Sequence, residues 1–273
     1  MKTLANQTLI YDEDCPLCQA YTGAFVKTGM LDQNGRASFC TLAQNKIDFV
    51  DVERAANEIA LVDHANKTVT YGIDSLLKVI GNSFPVVQQI GKLKPVHLVL
   101  RKLYAFISYN RKVIIPGKPN DGKSLQCTPD FNYRYRIAYL LFSVLVTAWV
   151  LNAYAAKIEL IPNGGLGREL LLAFGQILFQ AVFLFEKDNR DKLVYAGNLM
   201  TVSLMGSLLL LPILILNIWI ALPQTVMLCW FGLTVLAMFF EHWRRVRLLQ
   251  LPTLLCFTWV LYRLTALAFL LNL

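Results

Sequence analysis

Long apolar runs in the second half of the chain constrain its fold more than any other feature. We interpret five of them as membrane spans, since most lie near the length of about 20 residues at which a helix crosses a bilayer and the third is longer. They cover residues 137–156, 169–185, 194–222, 223–240 and 252–271. Residues 1–136 hold most of the charged side chains and have the mixed composition of a globular domain. We therefore predict an α/β domain followed by an all-α transmembrane domain of about five helices.

Basic residues mark one side of the predicted membrane domain. Arg134 and Arg136 precede the first run, whereas the first outer loop holds only Lys157 and Arg168 and the second holds none. The loops after the second and fourth runs each hold three basic residues, namely Lys187, Arg190, Lys192, Arg244, Arg245 and Arg247. Since cytoplasmic loops are rich in Lys and Arg, we predict an integral protein of the inner or plasma membrane with a cytoplasmic N-terminus and an outer C-terminus. The first seven residues contain no apolar core, so we expect no signal peptide.

The basic charge of the chain is concentrated just before the first apolar run. Residues 92–136 carry a net charge of +8, whereas residues 1–91 carry −3. We expect this segment to bind anionic membrane lipids. No nucleic-acid motif accompanies the charge, so we expect no nucleic-acid partner. The basic residues are Lys92, Lys94, Arg101, Lys102, Arg111, Lys112, Lys118, Lys123, Arg134 and Arg136.

Three polar side chains lie near the middle of predicted membrane spans. An ionisable residue at that depth is costly and suggests a function. Arg263 lies near the middle of the fifth run, Gln180 lies at a similar depth in the second run, and Gln176 is one turn from Gln180. Together they predict a site for an anionic or quinone-like head group. The alternative is a hydrogen-bonded clamp between helices.

Two cysteines, Cys15 and Cys18, directly follow the apolar run 8–11. Pro16 fits the first position of a helix. Cys15 would then lie at the positive end of the helix dipole, which favours the reactive thiolate. The spacing predicts a redox-active disulfide between Cys15 and Cys18, with no other cofactor required. We predict that Cys15, the more exposed thiol, is the nucleophile, that Cys18 resolves the mixed disulfide, and that Asp12 accepts the proton of Cys18.

Two other classes of function compete with this interpretation. Zinc and iron–sulfur sites need further ligands near the cysteine pair. The remaining candidates in this half, Cys40, Cys127, His64 and His97, are isolated in sequence, so we expect no metal. The second competitor is a membrane transport or small-molecule-binding protein whose N-terminal domain is regulatory or vestigial. That protein would need Arg263 and the glutamines rather than the cysteines.

The order of elements in the first 80 residues indicates a thioredoxin-like domain. Apolar patterns predict strands at 7–12, 36–42, 58–63 and 68–71, and helices at 16–28, 47–57 and 74–80. We expect Asp74 to cap the last helix. A helix start at this place could bind an anion, so glutathione is a candidate ligand of this domain. A quinone is a candidate ligand of the membrane domain.

The residues around the cysteine pair resemble a known family. Tyr11 and Asp12 end a strand and are followed by Cys15 and Cys18, which resembles the DCC family of thiol-disulfide oxidoreductases. The runs 71–77 and 104–111 are similar to further signatures of that family, and members fused to membrane segments look similar. The resemblance covers about residues 7–115 and implies a thioredoxin-like fold with a redox-active dithiol.

These observations give one prediction for the whole chain. We expect a DCC domain at 1–115, a basic linker at 116–136 and a transmembrane domain at 137–273. The predicted function is that of a membrane-anchored thiol-disulfide oxidoreductase whose dithiol faces the cytoplasm. Its substrate would be a protein or a small thiol.

Overall fold

The computed structural model describes residues 2–40, 48–117, 131–162 and 164–271. It divides the chain into two compact units, Met1–Tyr135 and Arg136–Leu273. Most of the predicted linker, residues 118–130, lies outside the described residues, as does Cys127.

The first unit is built on a four-stranded mixed sheet. The strands lie in the order β2-β1-β3-β4, with β1 parallel to β2 and the other two pairs antiparallel. The elements are β1 (Gln7–Tyr11), α1 (Pro16–Lys27), β2 (Arg36–Ser38), α2 (Val52–Asn57), β3 (Ala60–Asp63), β4 (Thr68–Tyr71), α3 (Ile73–Ser83), α4 (Pro85–Lys92) and α5 (Lys94–Ile114). The predicted α/β class of this unit is confirmed.

Both faces of the sheet are covered by apolar side chains. Successive residues of a strand point to opposite faces, so Leu9 and Ile10 of β1 belong to two different apolar clusters. The Leu9 cluster includes side chains of α1 and α3, and the Ile10 cluster includes Ala55 of α2. β3 lies between β1 and β4 and is buried along its whole length. Helices thus cover both faces of the sheet, and the turn that carries the cysteines follows the inner strand β1.

Some predicted boundaries in this unit differ from those observed. β2 ends at Ser38, and residues 41 and 42 of the predicted strand lie outside the described residues. α2 begins only at Val52, where Asp51 caps it by accepting from the backbone N–H of Arg54 at 3.0 Å.

The prediction that Asp74 caps a helix is wrong. α3 begins one residue earlier, at Ile73, and Gly72 occupies the cap position. Gly72 has a φ of 62°, a conformation that glycine adopts without strain. The carboxylate of Asp74 instead pairs with the His97 ring at 2.9 Å. The anion site expected from an Asp74 cap therefore loses its structural basis.

The second unit consists of long helices. α6 starts just before it, and the others follow: α6 (Tyr133–Ala155), α7 (Gly165–Val182), α8 (Asn189–Trp219), α9 (Gln224–Leu248) and α10 (Leu254–Leu271). By length and composition, α6, α8, α9 and α10 are able to cross a membrane. Large apolar side chains on these helices are exposed, among them Trp149, Ile218 and Phe257, as expected for contact with lipid. A membrane domain is therefore supported by four helices.

The second predicted span corresponds to α7, which is not among those four. α7 is a helix of 18 residues that includes Arg168, Glu169, Gln176 and Gln180, and these polar side chains lower its mean hydropathy. A fifth span thus stays a prediction. α9 runs eight residues past its predicted end, so that Arg244, Arg245 and Arg247 lie in its last two turns rather than in a loop. Glu241 pairs with Arg244 and Arg245 at 2.7 Å, which stabilises this extension.

Candidate active site

The dithiol lies where β1 ends and α1 begins. Cys15 has an extended backbone and occupies the cap position of α1, and Pro16 is the first helical residue, as predicted. The Cys15 sulfur accepts a hydrogen bond from the backbone N–H of Cys18 at 3.4 Å. A thiol at this position faces the free N–H groups of the first helical turn, which stabilise a negative charge.

Both cysteines are buried. Cys15 is 3% exposed and Cys18 is 7% exposed, so the prediction that Cys15 is the more exposed thiol is wrong. The chain after α5 passes over the turn that carries Cys15: a side chain at Gly117 would collide with the carbonyl oxygen of Asp14. The sequence does not predict this contact, because Gly117 lies about a hundred positions after the turn.

The two thiols have opposite electrostatic environments. A hydrogen bond from the Cys18 thiol, together with the Cys18 backbone N–H and the charge of Arg111, lowers the pKa of Cys15 from 9.0 to about 7, although burial opposes this. The same hydrogen bond, together with burial, raises the pKa of Cys18 far above its usual value. At neutral pH a large fraction of Cys15 is therefore thiolate while Cys18 keeps its proton.

A buried ion pair lies beside the dithiol. Arg111 of α5 donates to a carboxylate oxygen of Asp12 at 3.0 Å, and both side chains are less than 7% exposed. Arg111 also donates to Ser108 Oγ at 3.2 Å and to the carbonyl of Asn57 at 3.4 Å. It thereby ties α5 to the turn before the cysteines and to the residue that ends α2. The prediction that Arg111 belongs to a lipid-binding segment is wrong, because its charge is buried in this site.

Asp12 is held by more than one partner. Burial raises the pKa of its carboxyl, and Arg111 together with the backbone N–H of Asp14 opposes that rise. The Asp14 N–H lies 3.0 Å from the oxygen that does not face Arg111. Asp12 lines the same cavity as Cys18. A buried carboxylate with a raised pKa suits the predicted task of accepting a proton.

A cavity of about 230 Å³ opens beside Cys18. Its wall combines apolar side chains with two buried tyrosines, Tyr21 and Tyr104. Burial raises the pKa of both phenols, that of Tyr104 to about 12, so both keep their protons at neutral pH. The Tyr104 hydroxyl accepts the backbone N–H of Ile59, at the entry to β3, at 2.9 Å. The remaining lining residues are Ile10, Tyr11, Asp12, Leu17, Ala55, Glu58, Ile59, Leu76, Ile107, Ser108 and Arg111.

Sequence reasoning missed three contributors to this site, namely Tyr21, Tyr104 and Arg111. A signal for two of them was present. Tyr104, Ser108 and Arg111 are spaced by four and three residues, which places them on one face of α5. They also span the stretch 104–111 that resembles the DCC family. Arg111 also lies among basic neighbours, and that context conceals its separate role.

The structure separates the three polar residues predicted in the membrane. Gln176 and Arg263 line a second cavity, also of about 230 Å³, inside the helical unit. Gln180 does not line it. Its carbonyl oxygen accepts from Tyr195 at 3.2 Å and from Thr258 at 3.1 Å, and its amide donates to the carbonyl of Leu255. Gln180 thus links α7, α8 and α10.

A buried histidine belongs to the same network and was missed from the sequence. His242 of α9 lies 3.1 Å from the Tyr195 hydroxyl and stacks on the Trp259 ring. His242 lies just after the fourth apolar run, between Glu241 and a group of arginines, and that position gives no sign of its buried partners.

Comparison with known proteins gives one match. No curated protein and no solved structure matches the chain. Residues 9–115 match the model of a family described as DCC1-like thiol-disulfide oxidoreductase. The match runs from β1 to the end of α5 and includes both cysteines and their buried ion pair. The first unit of this chain therefore carries a domain of the DCC1-like thiol-disulfide oxidoreductase family, in agreement with the motifs of its sequence.

Proposed function

We propose that this protein is a membrane-anchored thiol-disulfide oxidoreductase that uses Cys15 and Cys18 as its redox couple. One observation carries the proposal: the Cys18 thiol and backbone N–H both stabilise a thiolate on Cys15, which lowers the pKa of Cys15 to about 7. A thiolate that forms at neutral pH attacks disulfides, and a second thiol in contact with it completes the exchange.

The reaction proceeds in two displacements. The Cys15 thiolate attacks one sulfur of a substrate disulfide; a bond between Cys15 and that sulfur forms, the substrate disulfide breaks, and one substrate thiolate leaves and takes a proton. Cys18 then loses its proton to Asp12 and attacks the Cys15 sulfur. The Cys15–Cys18 disulfide forms and the second substrate thiolate leaves. Two electrons pass from the dithiol to the substrate, and the reverse sequence oxidises a substrate dithiol.

Arg111 supports both displacements. Its positive charge opposes the effect of burial on the pKa of each cysteine, and its bond to Asp12 opposes the rise that burial causes in the pKa of that carboxyl. Arg111 acts here as a positioning residue, because it is the ion pair that orients Asp12 in the cavity wall.

The dithiol is proposed to work on the cytoplasmic side of the inner or plasma membrane. The basic residues that flank the membrane helices support this orientation. Exposed apolar and basic side chains alternate along α4, α5 and Leu93 between them, which suits binding to an anionic lipid surface. The apolar ones are Ile90, Leu93, Leu98, Val99 and Leu103, and the basic ones are Lys92, Lys94, Arg101 and Lys102.

The substrate is proposed to be a protein disulfide or a small disulfide. Glutathione is one candidate, since the cavity beside Cys18 has room for part of a small molecule. A quinone is a second candidate, as an electron acceptor in the membrane. Neither needs a resident cofactor beyond the cysteine pair.

A redox titration of the purified full-length protein tests the proposal. The protein is equilibrated in defined dithiol/disulfide buffers, and free thiols are counted by maleimide gel shift. We expect a two-electron transition that disappears in Cys15→Ser and in Cys18→Ser, and persists in the control Cys229→Ser, whose exposed thiol lies in the helical unit. Thiols at positions 15 and 18 that remain reduced at every potential would contradict it.

A further inference from the structure

The cavity inside the helical unit has the features of a ligand site. It is lined by all five helices, from Thr147 on α6 to Arg263 on α10. Most of its wall is apolar, including Leu151, Phe231 and Val235. An apolar cavity with a few polar groups directed into it is the usual form of a small-molecule site.

Three hydrogen-bonding groups in its wall have no partner among the described residues. They are the amide nitrogen of Gln176, the hydroxyl of Thr147 and the Nε of Arg263. Gln176 and Thr147 are each 5% exposed. Burying such groups without a partner costs free energy, and a ligand that accepts hydrogen bonds would recover it.

The charge of the wall favours an anion. Among the described residues, no carboxylate lies within ion-pair distance of Arg263, whose guanidinium instead lies 4.2 Å from the centre of the Trp259 ring. The other two charged residues of the wall neutralise one another, since Arg168 and Glu169 pair at 2.7 Å. One positive charge in an apolar environment is left without a counter-ion, and such charges in membrane helices mark ligand or ion sites.

We propose that this cavity binds the anionic head group of an amphiphile, namely the carboxylate or phosphate of a molecule with an apolar tail. A volume of about 230 Å³ would hold roughly eight water-sized groups. It therefore fits a head group and its first carbons rather than a whole lipid. The apolar tail would extend past Leu264, Leu267 and Leu270, which line the cavity along one side of α10. A neutral quinone would leave the charge of Arg263 uncompensated.

The site differs from the dithiol in position and chemistry, and its test needs no thiol. The full-length protein is held in a non-ionic detergent, and bound molecules are counted by native mass spectrometry. The probes are oleate, dioleoyl phosphatidate and, as the neutral comparison, a decyl-substituted benzoquinone. We expect one oleate or one phosphatidate per chain, and preference for one over the other identifies the source of the anion.

Variants identify the cavity as the place of binding. Arg263→Leu should weaken anion binding by about tenfold or more, and Gln176→Leu by a smaller factor, because hydrogen bonds to charged groups are stronger than neutral ones. Arg263→Lys keeps the charge and should retain most of the affinity, which also covers the case in which Arg263→Leu fails to fold. The matched control is Arg247→Leu, which removes an exposed cation at the end of α9 and should change nothing. The proposal is overturned if neither anion binds, if binding is equal in Gln176→Leu and the native protein, or if the neutral quinone binds more tightly than both anions.

Discussion

The thiol of Cys18 is the first cause of the lowered pKa of Cys15, and replacing it tests the electrostatics of the site. In Cys18→Ala the S–H donor is lost, whereas the backbone N–H of residue 18 still reaches the Cys15 sulfur. We expect the pKa of Cys15 to rise from about 7 towards its ordinary value of 9.0, because burial then outweighs more of the stabilisation that remains. Cys18→Ser is the matched control: it keeps a hydroxyl donor at the same place, so that the pKa should remain near 7.

The magnitude of the effect follows from the thiolate fraction. At pH 7 a thiol with a pKa of about 7 is about half ionised, and one with a pKa of 9.0 is about 1% ionised. A complete loss of the shift would therefore lower the amount of thiolate about 50-fold. Because a thiolate of higher pKa is intrinsically more nucleophilic, with a Brønsted slope of about 0.4–0.5, the rate at pH 7 would fall only about five- to eightfold. The midpoint of the pH–rate curve is thus a sharper measure than the rate itself.

The assay is alkylation of the full-length protein by iodoacetamide between pH 5 and pH 10. The peptide that contains Cys15 also contains Cys18, so its fragmentation in the mass spectrometer locates the alkyl group on one thiol or the other, and the remaining cysteines need no replacement. Restricted access to the buried Cys15 sulfur slows the reaction by the same factor at every pH, so it does not move the midpoint of the curve. Equal midpoints in Cys18→Ala and Cys18→Ser would refute the assigned hydrogen bond, as would a midpoint near 9 in the native protein.

Three further predictions concern the first unit. Arg111→Met leaves the carboxylate of Asp12 buried without its ion-pair partner and should lower the free energy of unfolding by about 3–5 kcal/mol, measured by pulse proteolysis of the full chain in urea. Adding Asp12→Leu should restore part of that loss. A double variant no more stable than Arg111→Met would contradict the ion pair. Tyr104→Phe leaves the N–H of Ile59 without its acceptor and should cost about 1–3 kcal/mol in the same assay, and an unchanged stability would show that this bond contributes nothing. An environment-sensitive dye attached to the cysteine of Val99→Cys should emit at shorter wavelength in liposomes with anionic lipid than in neutral liposomes. Lys94→Gln combined with Lys102→Gln should remove that difference. The same emission wavelength in both kinds of liposome would rule out lipid binding by α5.

Local sequence patterns predicted the junction that holds the dithiol. A short apolar run before Cys15 and a proline after it are sufficient to place a strand end and a helix start, and both are formed by neighbouring residues. The burial of Cys15 could not be predicted in this way. It depends on the segment near Gly117, which is far from Cys15 in the sequence but lies against the neighbouring residue Asp14 in the structure.

Charge is where sequence reasoning failed most clearly. Arg111 looks like one more member of a basic segment, yet its partner Asp12 lies 99 positions earlier in the chain. Whether an arginine of this segment binds lipid or pairs with a carboxylate depends on whether its side chain is buried. That in turn depends on how α5 packs on the sheet. Gln176 and Gln180 are a similar case: one turn apart on α7, they lie in a cavity and in a hydrogen-bond network respectively, according to which neighbouring helix each one meets.

The role of α7 determines the topology of the whole protein. Four crossing helices would bring both termini to the same side of the membrane, whereas five would place them on opposite sides. The charges of α7 lie in its first turns, where Arg168 and Glu169 neutralise one another at 2.7 Å, and the rest of the helix carries no charged residue. Its 18 residues extend about 27 Å, close to the hydrocarbon thickness of about 30 Å. We therefore expect α7 to cross the membrane. Protease added outside intact cells should then cleave a tag at the C-terminus and leave a tag at the N-terminus intact. If both tags are protected in cells and both are cleaved in inverted vesicles, α7 does not cross and the proposed outer C-terminus is wrong.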